Sequence, residues 1–222
     1  MGATIELQAA DGHTLGAYAA GPAQGGPGLV VVQEIFGVNG HMRRVCDSFA
    51  EQGYRVIAPA LFDRAERGVE LGYGPEDMPR GRELRARVSD AAVVADIEAA
   101  SRHLAPGRIG IVGYCWGGTV AWWGATRSHA FAAAVGWYGG GIAATRTEIP
   151  NCPVQLHFGG KDAGIPLSDV EAIRQAQPGV EIFIYPDAQH GFGCEDRASY
   201  SPADERLAQE RTLAFLGARL GT

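Results

Sequence analysis

Residues 109–118 read IGIVGYCWGG, and this stretch decides the fold. The apolar run at its start is typical of a strand buried inside a sheet, and the sequence after residue 115 is typical of a helix. Between them lies the pattern glycine, any residue, nucleophile, any residue, glycine, which marks a sharp strand-to-helix turn. Glycine is expected at both ends because a side chain there would collide with its neighbours. The pattern also suits an ordinary glycine-rich turn with a buried cysteine, so the rest of the chain has to distinguish the two.

The composition indicates a globular protein rather than a nucleic-acid-binding one. Of the 222 residues, 46% are apolar and 20% are charged, which suits one domain with a substantial core. We therefore predict a single domain over residues 1–222. The formal net charge of -6 at pH 7 and the lack of a Lys/Arg cluster argue against a nucleic-acid partner.

Signals for the membrane, for secretion and for metals are not found in the sequence. No apolar run reaches the roughly 18 residues of a membrane span, and the first residues lack a cationic segment followed by an apolar one. The four cysteines are too few and too dispersed for a disulfide framework, and neither they nor the histidines show metal-ligand spacing. We therefore predict a reduced, cytoplasmic protein with no membrane partner, no metal and no cofactor.

Apolar segments alternate with helical patterns along the chain. Strands are predicted at residues 4–8, 13–19, 29–32, 54–58, 109–112, 132–137, 154–158 and 180–185. Helices are predicted at residues 40–52, 82–104, 116–126, 168–176 and 202–220. The first two strands flank Asp11-Gly12, a hairpin turn signal. We expect an α/β fold with a mostly parallel twisted sheet of about seven to eight strands, helices on both faces and an antiparallel N-terminal hairpin.

A thiol nucleophile needs a base, and the base needs an acid that orients it. In α/β-hydrolases these partners follow the nucleophile in the order acid, then histidine. Asp162 and His190 each follow a predicted strand, so both should lie at the same rim of the sheet as Cys115. Asp162 alone would be read as a turn residue, and Asp187 is a rival acid that is closer to the histidine. Together the three side chains predict a Cys115–His190–Asp162 triad in an α/β-hydrolase fold.

The strand at 29–32 runs into QEIFG at residues 33–37, where folds of this kind supply part of the oxyanion hole. The backbone N–H groups of Ile35 and Trp116 are the expected donors. Glu34 stands at the mouth of the buried strand and should face the nucleophile. The alternative is that Glu34 is an ordinary strand-end carboxylate in solvent.

Several stretches of the chain resemble the dienelactone hydrolase family. They are DGHT at 11–14, QEIFGVN at 33–39, GYCWGG at 113–118, Asp162 after a double glycine, HGF at 190–192 and ERTLAFL at 210–216. The resemblance covers nearly the whole chain. It implies a cysteine-dependent hydrolase of carboxylic esters or lactones, typically a dienelactone, that works through an acyl-thioester on Cys115. It also implies that Glu34 pairs with the thiol at rest and is displaced when substrate binds.

The resemblance further implies a small-molecule substrate that bears a carboxylate held by two arginines. One arginine lies in the loop before the long helix, where Arg80 or Arg82 is expected to serve. The other should stand four residues after the histidine, but that position is Cys194, and Arg197 is the nearest replacement.

Two aromatic residues and several reactions stay open at this point. Phe36 and Tyr138 are expected either as apolar walls of the pocket or as core. The same scaffold also suits thioester cleavage, another acyl transfer or carbon–carbon bond cleavage, and a catalytically silent binding homologue is a further alternative. A monomer or small homo-oligomer is expected.

Overall fold

The computed structural model describes residues 2–221, in which eight strands form one sheet. The strands are β1 (Ala3–Gln8), β2 (Thr14–Ala20), β3 (Gly28–Val32), β4 (Arg55–Pro59), β5 (Ile109–Tyr114), β6 (Ala133–Trp137), β7 (Val154–Gly159) and β8 (Glu181–Tyr185). Their order is β1-β2-β4-β3-β5-β6-β7-β8. Pairing is antiparallel from β1 to β2 and from β2 to β4, and parallel elsewhere. The predicted α/β class, strand number and N-terminal hairpin are confirmed.

Six α-helices surround this sheet in the described part of the chain. They are α1 (Gly40–Glu51), α2 (Asp77–Ala86), α3 (Asp90–Leu104), α4 (Trp116–Arg127), α5 (Leu167–Ala176) and α6 (Pro202–Leu220). Two 3-10 turns lie at Leu61–Arg64 and Ala143–Thr145. No helix within residues 2–221 has the length and apolar character needed to cross a bilayer.

The four strands β3, β5, β6 and β7 form the buried centre of the sheet. Every residue of these strands is buried, as continuous apolar runs in parallel sheets predict. The edge strand β8 differs, since only Tyr185 is buried there. The nucleophile motif therefore leaves the sheet from β5, one of its rigid central strands.

The single long helix predicted at 82–104 is wrong, because the structure has α2 and α3 there. Ser89 adopts an extended conformation, with φ -76° and ψ 149°, and its side chain accepts a hydrogen bond from the Ala92 N–H. A serine in this conformation caps the start of a helix and so ends the preceding one. The apolar face predicted for the long helix belongs to α3 alone.

The segment between β4 and α2 crosses the rim at which the parallel strands end. The N–H of Leu71 donates to the carbonyl oxygen of Phe36 at 2.8 Å. Gly37 forms an isolated β-bridge with Glu70. These contacts fix the segment against the loop that follows β3, and residues of both then face the end of β5.

Candidate active site

Cys115 occupies a strained turn between β5 and α4. Its φ is 55° and its ψ is -116°, outside the region that non-glycine residues prefer. A Cβ on Gly113 would lie 1.9 Å from the carbonyl oxygen of Gly117, and a Cβ on Gly117 would lie 2.4 Å from that of Val32. Both glycines are therefore required by close backbone contacts, as the motif predicts. The turn also presents the thiol to a cavity, so the interpretation of Cys115 as an ordinary buried cysteine is wrong.

The structure brings the three predicted side chains together. His190 Nε2 lies 3.1 Å from the sulfur of Cys115, and His190 Nδ1–H donates to Asp162 Oδ2 at 2.7 Å. The other carboxylate oxygen of Asp162 accepts from the N–H of Gly164 at 2.8 Å. The carboxylate is fully buried, whereas 27% of the His190 side chain is exposed. An acid held on both oxygens fixes the imidazole orientation, which is the geometry of a nucleophile, base and orienting acid.

Hydrogen bonds between the loops after β7 and β8 set the Asp162–His190 distance. Gly160 N–H donates to Tyr185 O at 2.7 Å, and Lys161 N–H donates to Ala188 O at 2.9 Å. The two loops are therefore tied together immediately before the acid and immediately before the histidine.

The rival acid Asp187 lies outside this arrangement. Its side chain is 83% exposed and pairs with Lys161 at 2.6 Å. This exposed ion pair points Asp187 away from His190, so the structure places Asp162 and not Asp187 on the imidazole.

The charges around His190 favour its protonated form. Burial opposes the charged imidazolium, but the hydrogen bonds to Asp162 and Cys115 outweigh it and raise the pKa of His190 to about 10. A raised histidine pKa means that the proton is held at neutral pH and lost as the pH rises through the folded-state value. The ring of Tyr138 packs edge-on against the imidazole at a centroid distance of 5.2 Å.

Glu34 is buried, so the alternative of a strand-end carboxylate in solvent is wrong. Its Oε2 accepts from the Tyr73 hydroxyl at 3.0 Å, and its Oε1 accepts from Arg197 Nη1 at 3.4 Å. Both partners come from elsewhere in the chain, and sequence reasoning missed Tyr73, which lies in a segment without periodicity. The Cys115 sulfur contacts His190, whereas the Glu34 carboxylate contacts Tyr73 and Arg197, so the two groups have different partners.

The two expected oxyanion donors belong to residues close to Cys115. Ile35 lines the same cavity as Cys115, and Trp116 is the first residue of α4. Within residues 2–221, neither N–H donates to a backbone oxygen. The Trp116 indole points away and stacks on Phe62 at a centroid distance of 5.4 Å, so only its backbone is offered to the site. Their role as donors stays a prediction.

A cavity of about 800 Å³ opens over Cys115 and His190. Phe36 lines it and is also buried in the core, whereas Tyr138 does not line it and is fully buried against His190. The cationic side chains on the lining are Arg82, Lys161 and Arg197.

Arg80 does not line this cavity. Its guanidinium pairs with Glu66 and Glu83 on the surface, at 2.5 Å and 2.6 Å. Of the two arginines expected before the long helix, Arg82 is therefore the one that faces the cavity. Cys194 is buried next to Glu34, and Arg197 lines the cavity and contacts Glu34.

Asp162→Asn should lower the pKa of His190, because it removes the charged carboxylate that, together with Cys115, outweighs burial of the imidazolium. The titration can be followed by NMR of ¹³C-labelled histidine, with the His190 signal assigned by its loss in His190→Gln. Asp187→Asn is the matched control, since its carboxylate contacts Lys161 instead, and it should leave the titration unchanged. A parent His190 that titrates near the ordinary value of about 6.5, or a shift in the control alone, would contradict this geometry.

Comparison with known proteins agrees with the geometry. The model of the dienelactone hydrolase family matches residues 15–220. A carboxymethylenebutenolidase from Pseudomonas putida is 35% identical over 227 residues, covering 96% of this chain and 94% of the relative. A Synechocystis protein assigned the same activity is 38% identical over 195 residues, covering 79% of each chain. A Klebsiella pneumoniae crystal structure assigned as a dienelactone hydrolase has a TM-score of 0.83 at 35% identity, covering 98% of this chain and 99% of that one. The chain belongs to the dienelactone hydrolase family.

Proposed function

We propose that this hydrolase cleaves carboxylic esters or lactones with Cys115 as its nucleophile, through an acyl-thioester intermediate. The 3.1 Å contact between the Cys115 sulfur and His190 Nε2 is the observation that carries the proposal. A thiol is most reactive as a thiolate, and a histidine with a raised pKa favours transfer of the thiol proton to the imidazole.

The reaction has two stages, with His190 moving the proton in each. In the first, the thiol proton already resides on Nε2, and the thiolate sulfur attacks the substrate carbonyl carbon while the carbonyl electrons move onto oxygen. The N–H groups of Ile35 and Trp116 stabilise that oxyanion. Its collapse breaks the bond to the leaving alkoxide, which takes the proton from Nε2 and leaves an acyl group on Cys115.

In the second stage, water attacks the thioester and gives its proton to His190. Collapse of the second oxyanion releases the carboxylic acid and returns the sulfur to its resting state. Asp162 holds the imidazole in the tautomer with Nδ1–H throughout, so that Nε2 always faces the sulfur.

The cavity charges favour a substrate that bears a carboxylate. Arg82 and Arg197 lie on its wall, and an arginine fork binds a carboxylate through two parallel hydrogen bonds. Lys161 is a weaker candidate because Asp187 already neutralises it. Together with the carboxymethylenebutenolidase relatives, these charges favour a lactone such as a dienelactone.

Glu34 couples this binding to the nucleophile. A substrate carboxylate at Arg197 competes with Glu34 for the guanidinium, and Tyr73 is then the remaining partner of Glu34. Substrate binding therefore changes the charge distribution next to Cys115. In the resting enzyme Glu34 thus pairs with Arg197, whereas the resemblance implies a pair with the Cys115 thiol.

Cys115→Ala should lower kcat/KM for lactone and aryl ester by about 10³-fold or more, because the nucleophile is lost. Initial rates on a carboxylate-bearing lactone, a neutral aryl ester and an acyl thioester measure this and also rank the alternative reactions. Cys152→Ala is the matched control, since that thiol is absent from the cavity lining. A Cys115→Ala rate within about tenfold of the parent rate would refute the assignment of Cys115 as the nucleophile. A higher kcat/KM of the parent for the thioester than for the lactone and the aryl ester would make thioester cleavage the main activity.

Arg82→Gln should raise KM for a carboxylate-bearing lactone by about tenfold, which corresponds to about 1.4 kcal/mol. It should change the constants for a neutral aryl ester of similar size much less, since that substrate has no charge to hold. Arg80→Gln is the control, because its guanidinium pairs with Glu66 and Glu83 outside the cavity. Equal losses on both substrates would remove the carboxylate-binding role and leave ester hydrolysis itself intact.

A further inference from the structure

A second group of reactive side chains includes Glu34, and none of its members lines the catalytic cavity. Glu34, His41 and Cys194 offer a carboxylate oxygen, an imidazole nitrogen and a sulfur that all lie within 4.8 Å of one another. All three residues are buried. They come from the end of β3, from α1 and from the loop after His190. Because they are far apart in the sequence, no local spacing predicts the group.

His41 supplies an independent sign that this group can take a ligand. The residue is 4% exposed, and its Nε2 is buried with no hydrogen-bond partner among the described residues. A buried polar atom without a partner costs free energy, so native structures nearly always satisfy it. A metal ion accepts the lone pair of a neutral imidazole nitrogen and satisfies it.

We propose that Glu34, His41 and Cys194 form a binding site for a thiophilic divalent cation, with zinc the best match to their ligand set. Zinc binds cysteine sulfur, histidine nitrogen and carboxylate oxygen, usually as a tetrahedron. Tetrahedral bonds of about 2.0–2.3 Å place ligand atoms about 3.3–3.8 Å apart, so the three side chains must draw in by roughly 1 Å. Binding replaces the S–H bond of Cys194 by a sulfur–zinc bond, and the proton leaves to solvent.

His41 lines a cavity that is separate from the catalytic one, which gives the ion a way in. Gly193 also lines this first cavity, whose volume is about 350 Å³. Tyr73 and Arg197 line the catalytic cavity instead. An ion can therefore reach His41 from the first cavity without passing Cys115.

The charges in this region are mixed, and most favour the ion. Glu195 and Glu205 line the first cavity and attract a cation. Arg44 lines it too, but its guanidinium is engaged by Glu195 and Asp196. Arg197 is the main opposing charge, since it contacts Glu34. The carboxylate of Glu34 and the thiolate of Cys194 together neutralise the two charges of the zinc ion.

This site goes beyond the proposed hydrolase activity but shares Glu34 with it. An ion on Glu34 draws its carboxylate away from Tyr73 and Arg197, the two contacts that hold it in place. Metal binding is measured in protein without the Cys115 thiol, so its outcome is independent of whether Cys115 is the nucleophile.

Zinc and cobalt binding to the Cys115→Ala protein tests the site, because Cys115 and His190 would otherwise bind thiophilic metals themselves. We expect one equivalent of zinc by competition with a chromophoric chelator. Cobalt should give a near-ultraviolet sulfur-to-cobalt band and visible bands of a tetrahedral site. Adding Cys194→Ser should abolish the sulfur band, and adding His41→Gln should weaken zinc binding by about 100-fold or more. Cys152→Ser is the matched control and should change neither.

Two results would overturn the site. One is that adding Cys194→Ser or His41→Gln to the Cys115→Ala protein changes neither its zinc affinity nor its cobalt spectrum. The other is that the Cys115→Ala protein binds no zinc. Melting curves check that each variant folds. Should Cys194→Ser fail to fold, alkylation mapped by mass spectrometry decides with the cysteine in place. Zinc must then protect Cys194 but not Cys152, and equal labelling with and without zinc rejects the proposal.

Discussion

The left-handed backbone at Cys115 is the constraint on which the site depends. A non-glycine residue at positive φ costs about 1–3 kcal/mol, and such strain persists only where the surroundings enforce it. Here β5 and α4 hold the two ends of the turn, and Cys115 N–H donates to the carbonyl oxygen of Trp137 at 3.0 Å. Gly113 and Gly117 allow the backbone to pass at distances that any side chain would block. The sulfur is thereby aimed away from the sheet and toward His190.

Two buried carboxylates stabilise different cationic side chains near that sulfur. Asp162 and Glu34 both have fully buried side chains, so each needs a partner that compensates for lost hydration. Asp162 has an imidazole and thereby favours the imidazolium. Glu34 has the Tyr73 hydroxyl and a guanidinium that also faces the cavity. The first carboxylate is tied to His190, and the second is tied to an arginine on the wall of the cavity that contains Cys115.

The sequence was sufficient for the strands and for the convergence of three side chains, because both follow from strong local rules. Buried parallel strands read as apolar runs, and the ends of such strands share a rim, so Asp162 and His190 could be placed near Cys115. The break between α2 and α3 was missed because the spacing of Val93 and Ile97 looks the same in one long helix as in α3 alone. Only the capping geometry of Ser89 separates the two possibilities.

Contacts made across loops could not be foreseen in the same way. Arg80 and Arg82 are two residues apart on a helix, which separates their directions by about 200°, so one faces the cavity and the other pairs on the surface. Deciding between them requires the exact start of α2. Tyr73 and His41 lie near Glu34, but no pattern in the sequence around either residue predicts that proximity. The proximity of Cys194 to Glu34 depends on the turn after His190.

Rapid acid quenching during turnover of an activated aryl ester, followed by peptide mass spectrometry, tests the central claim most directly. A cysteine nucleophile predicts an acyl group on the peptide that contains Cys115, formed within the first turnover and released by hydroxylamine as a thioester is. Two results would contradict the assignment of Cys115 as the nucleophile. One is an acyl group on a different cysteine or on a serine; the other is full turnover with no acyl-protein at any quench time.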